Sequence, residues 1–433
     1  MAIDPRRLSL LFALGLLLGS CALVNRARAP LPVPPQLQVE FDSGAAAAHL
    51  HWGAVAARDF RGYEVQRRTD GDYAVVARLS AAQDTTWTDE GLRADLSYQY
   101  RIAVRVAEQG HADPPLLSAA VMGGIHRHLA SWALPAGFLP TRLVADSGGV
   151  WVVGIGAGRV ERFDRSGAPL GSWAFTAGPL ACLETGVLDA VALARDSRGA
   201  LYVAYNLLES DRSPSAWWTK FDAQGQRLWT HPLTGLFTRH LAVGPGDRIY
   251  IESIDRLHQF DTEGRMVAEY AVPPLLVSSL RFWGEHFALL VEGVNETEMG
   301  GQAPRLMVYD DPVGQEAAWQ VGREPLTEQE QGNGVLKRPS DFAVDGQGDQ
   351  VFIVNAGLGR IEVFRHTQYL TRWGQAGTGA GEFAFAGEVA VVENMATCQT
   401  ARRRVVAGGI ARDPQGYLYV ADTFNNRVQQ FQP

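Results

Sequence analysis

Cysteine is scarce: three residues in 433, at positions 21, 182 and 398. A cysteine-based metal site would need further thiols or convergent histidines, and none can be placed from the sequence. Basic charge is also short. The formal net charge is −8, which argues against a nucleic-acid surface, since that requires a basic stripe to displace phosphate counterions. Long amphipathic helical patterns are few, while glycine (46) and proline (22) are frequent; together these point to an all-β chain. No GxSxG, HExxH, P-loop or CxxCH motif occurs, so none of the familiar local signatures of hydrolase, zinc, nucleotide or haem chemistry is available. What remains is ordinary for globular protein, 46% hydrophobic and 20% charged, and the length suggests two or three units.

The N-terminal stretch MAIDPRRLSLLFALGLLLGSCA reads as a targeting segment. Arg6 and Arg7 precede an apolar run, Leu8 to Leu18, that is short for a membrane span and suits a signal peptide over residues 1–20. Leu18-Gly19-Ser20-Cys21 resembles the lipobox of bacterial lipoproteins, in which the cysteine thiol is lipidated and becomes the mature N-terminus. Simple secretion with cleavage after Ala29 is the alternative, disfavoured because Pro30 follows that bond. Ala22 suggests sorting to an outer membrane. Residues 21–36 would then be a lipidated N-terminus and a stiff proline-rich tether, making the membrane a partner and the protein exported, periplasmic or surface-exposed.

Residues 37–122 carry short alternating segments separated by Gly/Asp turns: LHWGAV with Trp52, FRGYEVQRR with Tyr63, YAVVARLS, TTWTDEGL with Leu92, and YQYRIAVRV with Tyr98. They resemble a fibronectin type III domain, with Trp52 between the sheets and a Leu92–Tyr98 tyrosine corner. Such a domain implies a spacer.

From residue 126 the sequence repeats. One strand recurs as VWVVG, LYVAY, IYIES, FALLV, VFIVN and LYVAD, and the next as RVERFD, TKFD, LHQFD, LMVYD, IEVFR and RVQQF. Asp/Gly turns such as DSRG and DPQG precede the first of these. A further strand follows five of the repeats; the sixth lacks one, and HLASWALP at 128–135 is its counterpart, with Trp132 matching Trp173, Trp319 and Trp373. The expected fold over 126–433 is a six-bladed β-propeller closed by residues 128–135, which leaves no open sheet edge. GGIARDPQGYLYVADTFNNRVQQF and residues 336–383 closely resemble NHL repeats.

Long connections gather on one face: residues 206–218, 292–304, 322–339 and 374–404. Binding residues concentrate on such loops, and the candidate binding face comprises Arg212, Trp217, Glu296, Glu298, Glu328, Glu388, Arg402 and Arg403. Cys182 and Cys398 fall in equivalent blade-to-blade connections long enough to meet. A disulfide is expected, with two free thiols as the alternative. Counting four residues back from each turn places Arg142, Ala192, His240, Leu280, Asp341 and Gly409 at the channel mouth. A solvated funnel of mixed charge is the preferred account. The catalytic alternative makes His240 a base beside Asp341, with Arg142 holding an anion; Arg142 argues against a divalent metal there.

These readings favour a non-enzymatic binding or scaffolding lipoprotein with a protein or glycan partner in the cell envelope, no nucleic acid and no cofactor. The alternative is a metal-dependent hydrolase or lyase, for which the resemblance to six-bladed propeller enzymes implies calcium or zinc at the channel mouth.

Overall fold

The computed structural model describes residues 35–432 except 43–44, 57–58, 70, 94–95, 97, 107–115, 177–181, 183–185, 189–190, 209–213, 234–235, 237, 254–255, 273–274, 294–302, 311–315, 328–329 and 346–349, and except the side chains of 123, 208, 214 and 215. The signal segment with Cys21, and Arg212, Glu296, Glu298 and Glu328 of the expected binding face, lie outside the described residues. The chain divides into two compact units, with the main break between Met122 and Gly123; residues 40–49 and 88–98 group with the second.

N-terminal to that break lie eight short strands: β1 (Leu37–Asp42), β2 (Ala47–Trp52), β3 (Phe60–Arg68), β4 (Ala74–Leu79), β5 (Thr86–Asp89), β6 (Tyr98–Val106), β7 (Leu116–Leu117) and β8 (Val121–Gly123). One sheet runs β1-β2-β5 and the other β4-β3-β6-β7, with β8 also paired to β6. Trp52, 1% exposed, meets Tyr63 edge-on across the sheets at 5.5 Å between centroids. The Tyr63 hydroxyl accepts from the Val55 amide and donates to the Ala82 carbonyl, which satisfies the one polar atom of a buried ring. Tyr98 makes the corner contact: its hydroxyl accepts from the Arg93 amide at 2.8 Å.

The second unit is a six-bladed propeller. Blade one is β10 (Pro140–Asp146), β11 (Gly149–Gly154), β12 (Arg159–Phe163) and β13 (Pro169–Ala174); blade two is β14 (Val191–Arg195), β15 (Leu201–Leu208), β16 (Pro214–Phe221) and β17 (Arg227–Leu233). Blade three is β18 (His240–Gly244), β19 (Arg248–Ser253), β20 (Arg256–Phe260) and β21 (Met266–Ala271), and blade four is β22 (Val277–Trp283), β23 (His286–Val291), β24 (Arg305–Tyr309) and β25 (Trp319–Val321). Blade five is β26 (Pro339–Val344), β27 (Gln350–Asn355), β28 (Arg360–Arg365) and β29 (Gln368–Trp373). Each is an antiparallel meander. Blade six takes β32 (Gly409–Arg412), β33 (Leu418–Asp422) and β34 (Arg427–Phe431) from the C-terminal part of the chain and its outer strand, β9 (His128–Ala133), from the start of the unit. Val428 pairs with Trp132 and Gln429 with Ser131. The inner strands neighbour one another in sequence, and β32 returns beside β10, so the ring is closed.

Alternation explains the packing. Each second strand is buried on both faces (BBBBBB for β11 and β27), because its side chains fill the gaps between its own blade and both neighbours. Trp151, Val153, Val203 and Tyr205 join one such inter-blade core; Tyr202, Trp218, Ile249 and Phe260 join the next. Turn chemistry repeats with the strands. Asp196 Oδ1 accepts from the amides of Arg198 and Ala200, Asp413 Oδ1 from those of Gln415 and Tyr417, and Tyr202 and Tyr419 donate to the other oxygens at 3.1 Å. On the next turn, a Cβ at Gly167 would lie 2.3 Å from the Trp132 ring, and one at Gly225 2.3 Å from the Trp173 ring. Both glycines also have positive φ (86° and 87°), so two independent constraints require glycine there.

Two segments read from sequence as loops are strands. Residues 206–218 mostly extend β15 and β16. Within 374–404 lies a β-hairpin, β30 (Ala386–Asn394) and β31 (Gln399–Val406), which forms its own two-stranded sheet. The repeat has no counterpart for it, so the period hid its alternation.

Candidate functional site

The inner strands line a channel pinched at its middle. One cavity, of about 340 Å³, opens toward the short turns; a second, of about 270 Å³, opens toward the long connections, and Arg142 and His240 line both. The first turn-ward layer is mostly small and apolar: Val144, Ala194, Ala242, Ala343 and Ala411, with Arg281 as the one cation.

Arg142, His240 and Asp341 converge, but at this waist rather than at the channel mouth where counting from the turns places them. In blade four the count is off by one. Trp283 pairs with His286 as Asp146 pairs with Gly149, so the residue equivalent to Arg142 is Ser279, not Leu280. Leu280 is 3% exposed and packs into the core with Leu257 and Tyr309. The difference has a local cause: the turn FWGEH lacks the Asp/Gly pair that marks the others, so the sequence does not show that Trp283 is the last residue paired before it.

The waist is a set of cross-channel bonds. Arg142 Nη2 donates to the Ser278 carbonyl at 2.8 Å, joining blades one and four, which stand opposite each other in the ring. His240 Nε2 donates to the Val277 carbonyl at 2.8 Å. Asp341, fully buried, accepts from Ser279 Oγ (2.7 Å), Arg281 Nη2 (2.8 Å) and the Ile410 amide (3.0 Å). Arg281 also donates to the Ile410 carbonyl at 3.0 Å. Ser279 and Arg281 are invisible to a reading that places Leu280 at the mouth.

Electrostatics follow from this geometry. Burial pushes the His240 imidazole down to about 3, and the Arg142 guanidinium beside it acts in the same direction. The ring is therefore neutral at physiological pH, with its proton on the nitrogen that faces Val277. A general base needs a pKa near the working pH, and a ring held this low does not suit the role. Burial opposes ionisation of Asp341, but Arg281, Arg142, Ser279 and the Ile410 amide outweigh it and hold the carboxyl below its ordinary range. Both its oxygens are committed to the fold. Among the described residues no three His, Cys, Asp or Glu side chains group in a way that would hold a metal ion.

The long-connection face is built around the hairpin. Cys398, in its turn, is joined to Cys182 by a disulfide. The Val187 amide donates to the Ala390 carbonyl (2.8 Å) and the Val392 amide to the Val187 carbonyl (2.9 Å). Val391, 2% exposed, enters the core shared by blades one and two. A strand pair that leaves blade five is thus fastened to the start of blade two. Its outer surface exposes Glu388, Arg402, Arg403 and Arg404; Arg403 reaches Glu393 at 2.9 Å, and Arg402 lies 3.8 Å from Glu388. Trp217 does not stand free on this face: it is half-buried against the core of blades one and two, while Trp218 is buried in that of two and three.

No protein family matches the chain, and no curated protein matches it. Solved structures match it at low identity. They include an auxiliary nutrient binding protein from Bacteroides ovatus (13% identity, 93% of this chain and 98% of that one, TM-score 0.46) and the Neurospora crassa Pan2 WD40 domain (12% identity, 71% and 95%, TM-score 0.41). The Myceliophteria thermophila Cps50 (Swd1) beta-propeller domain is a third (10% identity, 70% and 99%, TM-score 0.40). Likenesses this distant carry no inference about activity, and the propeller assignment stands on the strand pairing and ring closure described above.

Proposed function

We propose that the chain is a non-enzymatic binding and scaffolding module of a bacterial envelope. In this reading Cys21 is lipidated and anchors the chain to the outer membrane. Residues 21–36 are the tether, the strands β1–β8 are a fibronectin type III-like spacer, and an NHL-type propeller presents its long-connection face to a protein partner. The observation that carries the reading is the hairpin β30–β31. It is fixed by a disulfide, by two backbone hydrogen bonds and by the buried Val391, and it holds three consecutive arginines in solvent. A rigid, charged, solvent-facing element costs little ordering entropy when a partner docks on it. The His240 ring and the Asp341 carboxylate at the waist are, by contrast, engaged in holding blades together.

The test uses a photo-crosslinker placed at residue 399 on the hairpin, in native membranes, with and without the charge reversals Arg402→Glu, Arg403→Glu and Arg404→Glu. One discrete adduct that disappears in the triple variant is expected. An adduct that persists unchanged, or none at all, removes the hairpin as the interface and the scaffolding reading with it. Cys21→Ser is expected to release the protein from the membrane fraction; retention would remove the lipid anchor.

A further inference from the structure

The long-connection cavity has a composition that the scaffold reading does not use. Arg142 forms its floor, and Arg239 and Arg338 stand exposed at its rim, three cations on a chain whose net charge is −8. Among the described residues two bonds, to the Thr141 and Ser278 carbonyls, engage Arg142, whose fork carries five donors. Glu292 is the one carboxylate in the lining among the described residues. Burial works against its ionised form, with Arg338 and Arg239 opposing, and the balance lies on the protonated side of its ordinary value. Between the arginines stand apolar residues, Val191 and Val277 at the starts of blades two and four and Val405 and Val406 at the base of the hairpin before blade six, so cations and valines alternate around the ring. The waist bonds close the bottom. The result is a cup of about 270 Å³ lined by both cationic and hydrocarbon side chains.

We propose that this cup is a binding site for a small carboxylic acid with an apolar body. The arginines take the carboxylate, for which a planar fork is matched, and the valines between them take the hydrocarbon. This rests on the reading of the long-connection face as the binding face, but on different residues of it. Arg402, Arg403 and Arg404 do not line the cup.

The experiment is calorimetric titration of the full-length protein in detergent with hexanoate at constant ionic strength. Acetate (charge without body), hexanol (body without charge) and inorganic phosphate are the comparison probes. Hexanoate is expected to bind saturably, with acetate and hexanol each weaker by roughly tenfold or more, a difference of about 1.4 kcal/mol. Arg338→Gln, an exposed site, is expected to weaken hexanoate roughly tenfold with the melting temperature of the free protein unchanged. Val406→Ser is expected to erase the advantage of hexanoate over acetate. No saturable heat with hexanoate, or equal affinity in Arg338→Gln, overturns the proposal. Phosphate binding tighter than hexanoate overturns it in favour of a phosphate ligand. The hairpin triple variant is expected to bind hexanoate as the wild type does, so loss of partner capture and loss of acid binding are separate outcomes.

Discussion

Glu252 and Asp341 are both buried carboxyl groups, and their surroundings push them in opposite directions. Asp341 has two oxygens bonded and two guanidinium groups nearby, which outweigh burial. Glu252, 2% exposed on β19, has no partner for Oε2 among the described residues, and burial drives its carboxyl up to about 7, with Arg239 opposing only in part. Because the folded state holds this proton more tightly than the unfolded chain does, the contribution of Glu252 to stability is fully present below the unfolded value near 4.5. It is lost as pH rises through about 7. At about 1.4 kcal/mol per unit, the wild type gives up roughly 3 kcal/mol by pH 8. Glu252→Gln removes the titration while keeping the shape. It is expected to melt higher than the wild type at pH 8 and not at pH 5, as thermal melts at the two values will show. An equal difference at both pH values would mean that the carboxylate is ionised and accommodated throughout.

At the scale of the element, strands were legible wherever the chain repeats itself. LYVAY and LYVAD become β15 and β33, and their turns close through Asp196 and Asp413 as the residue types imply. Legibility failed where a local feature departs from the period. FWGEH hid the register of β22, and with it Ser279 and Arg281. Residues 386–406 alternate as a hairpin does, but nothing in the other repeats draws attention to them. Arg239 and Arg338 were missed for another reason: a rim residue in a connection has no register to count from. The pairing of Cys182 with Cys398, expected from their equivalent connections, is formed. That link spans 216 residues, and a cross-link over so long a loop is worth about 3–5 kcal/mol through the unfolded chain. Cys182→Ser with Cys398→Ser is expected to lower stability in denaturant titration by about that amount. It should also raise amide exchange in 386–406 while β11 stays protected. Unchanged exchange would mean that Val391 and the two backbone bonds hold the hairpin unaided.

For the whole molecule the question is which seam of the ring opens first. Five blades are continuous meanders, whereas blade six joins β34 to β9 across almost the full length of the unit, so only there does closure depend on contacts between distant parts of the chain. Trp132 is the centre of that seam. It is 6% exposed, stands 5.5 Å from the Tyr419 ring and 6.0 Å from that of Phe163, and lies under Gly167 of blade one, so it joins β9 to the rest of blade six and to blade one. Truncating it costs about 3–5 kcal/mol as any large core residue does, but the cavity also lies where the two ends of the ring separate. Trp173 holds the same place in blade one, against Trp151 at 5.2 Å, on a strand that cannot leave its blade without unfolding it. Trp132→Ala is therefore expected to accelerate unfolding in guanidinium more than Trp173→Ala does, and to admit protease first at the connection that follows β9. The waist bonds work against this: Arg142 on blade one reaches blade four, and Arg281 on blade four reaches blade six, so the blades on either side of the seam are tied through the centre as well as the rim. If the two variants unfold at the same rate, the waist rather than the clasp limits opening, and the buried charges at the channel centre are what keep the ring closed.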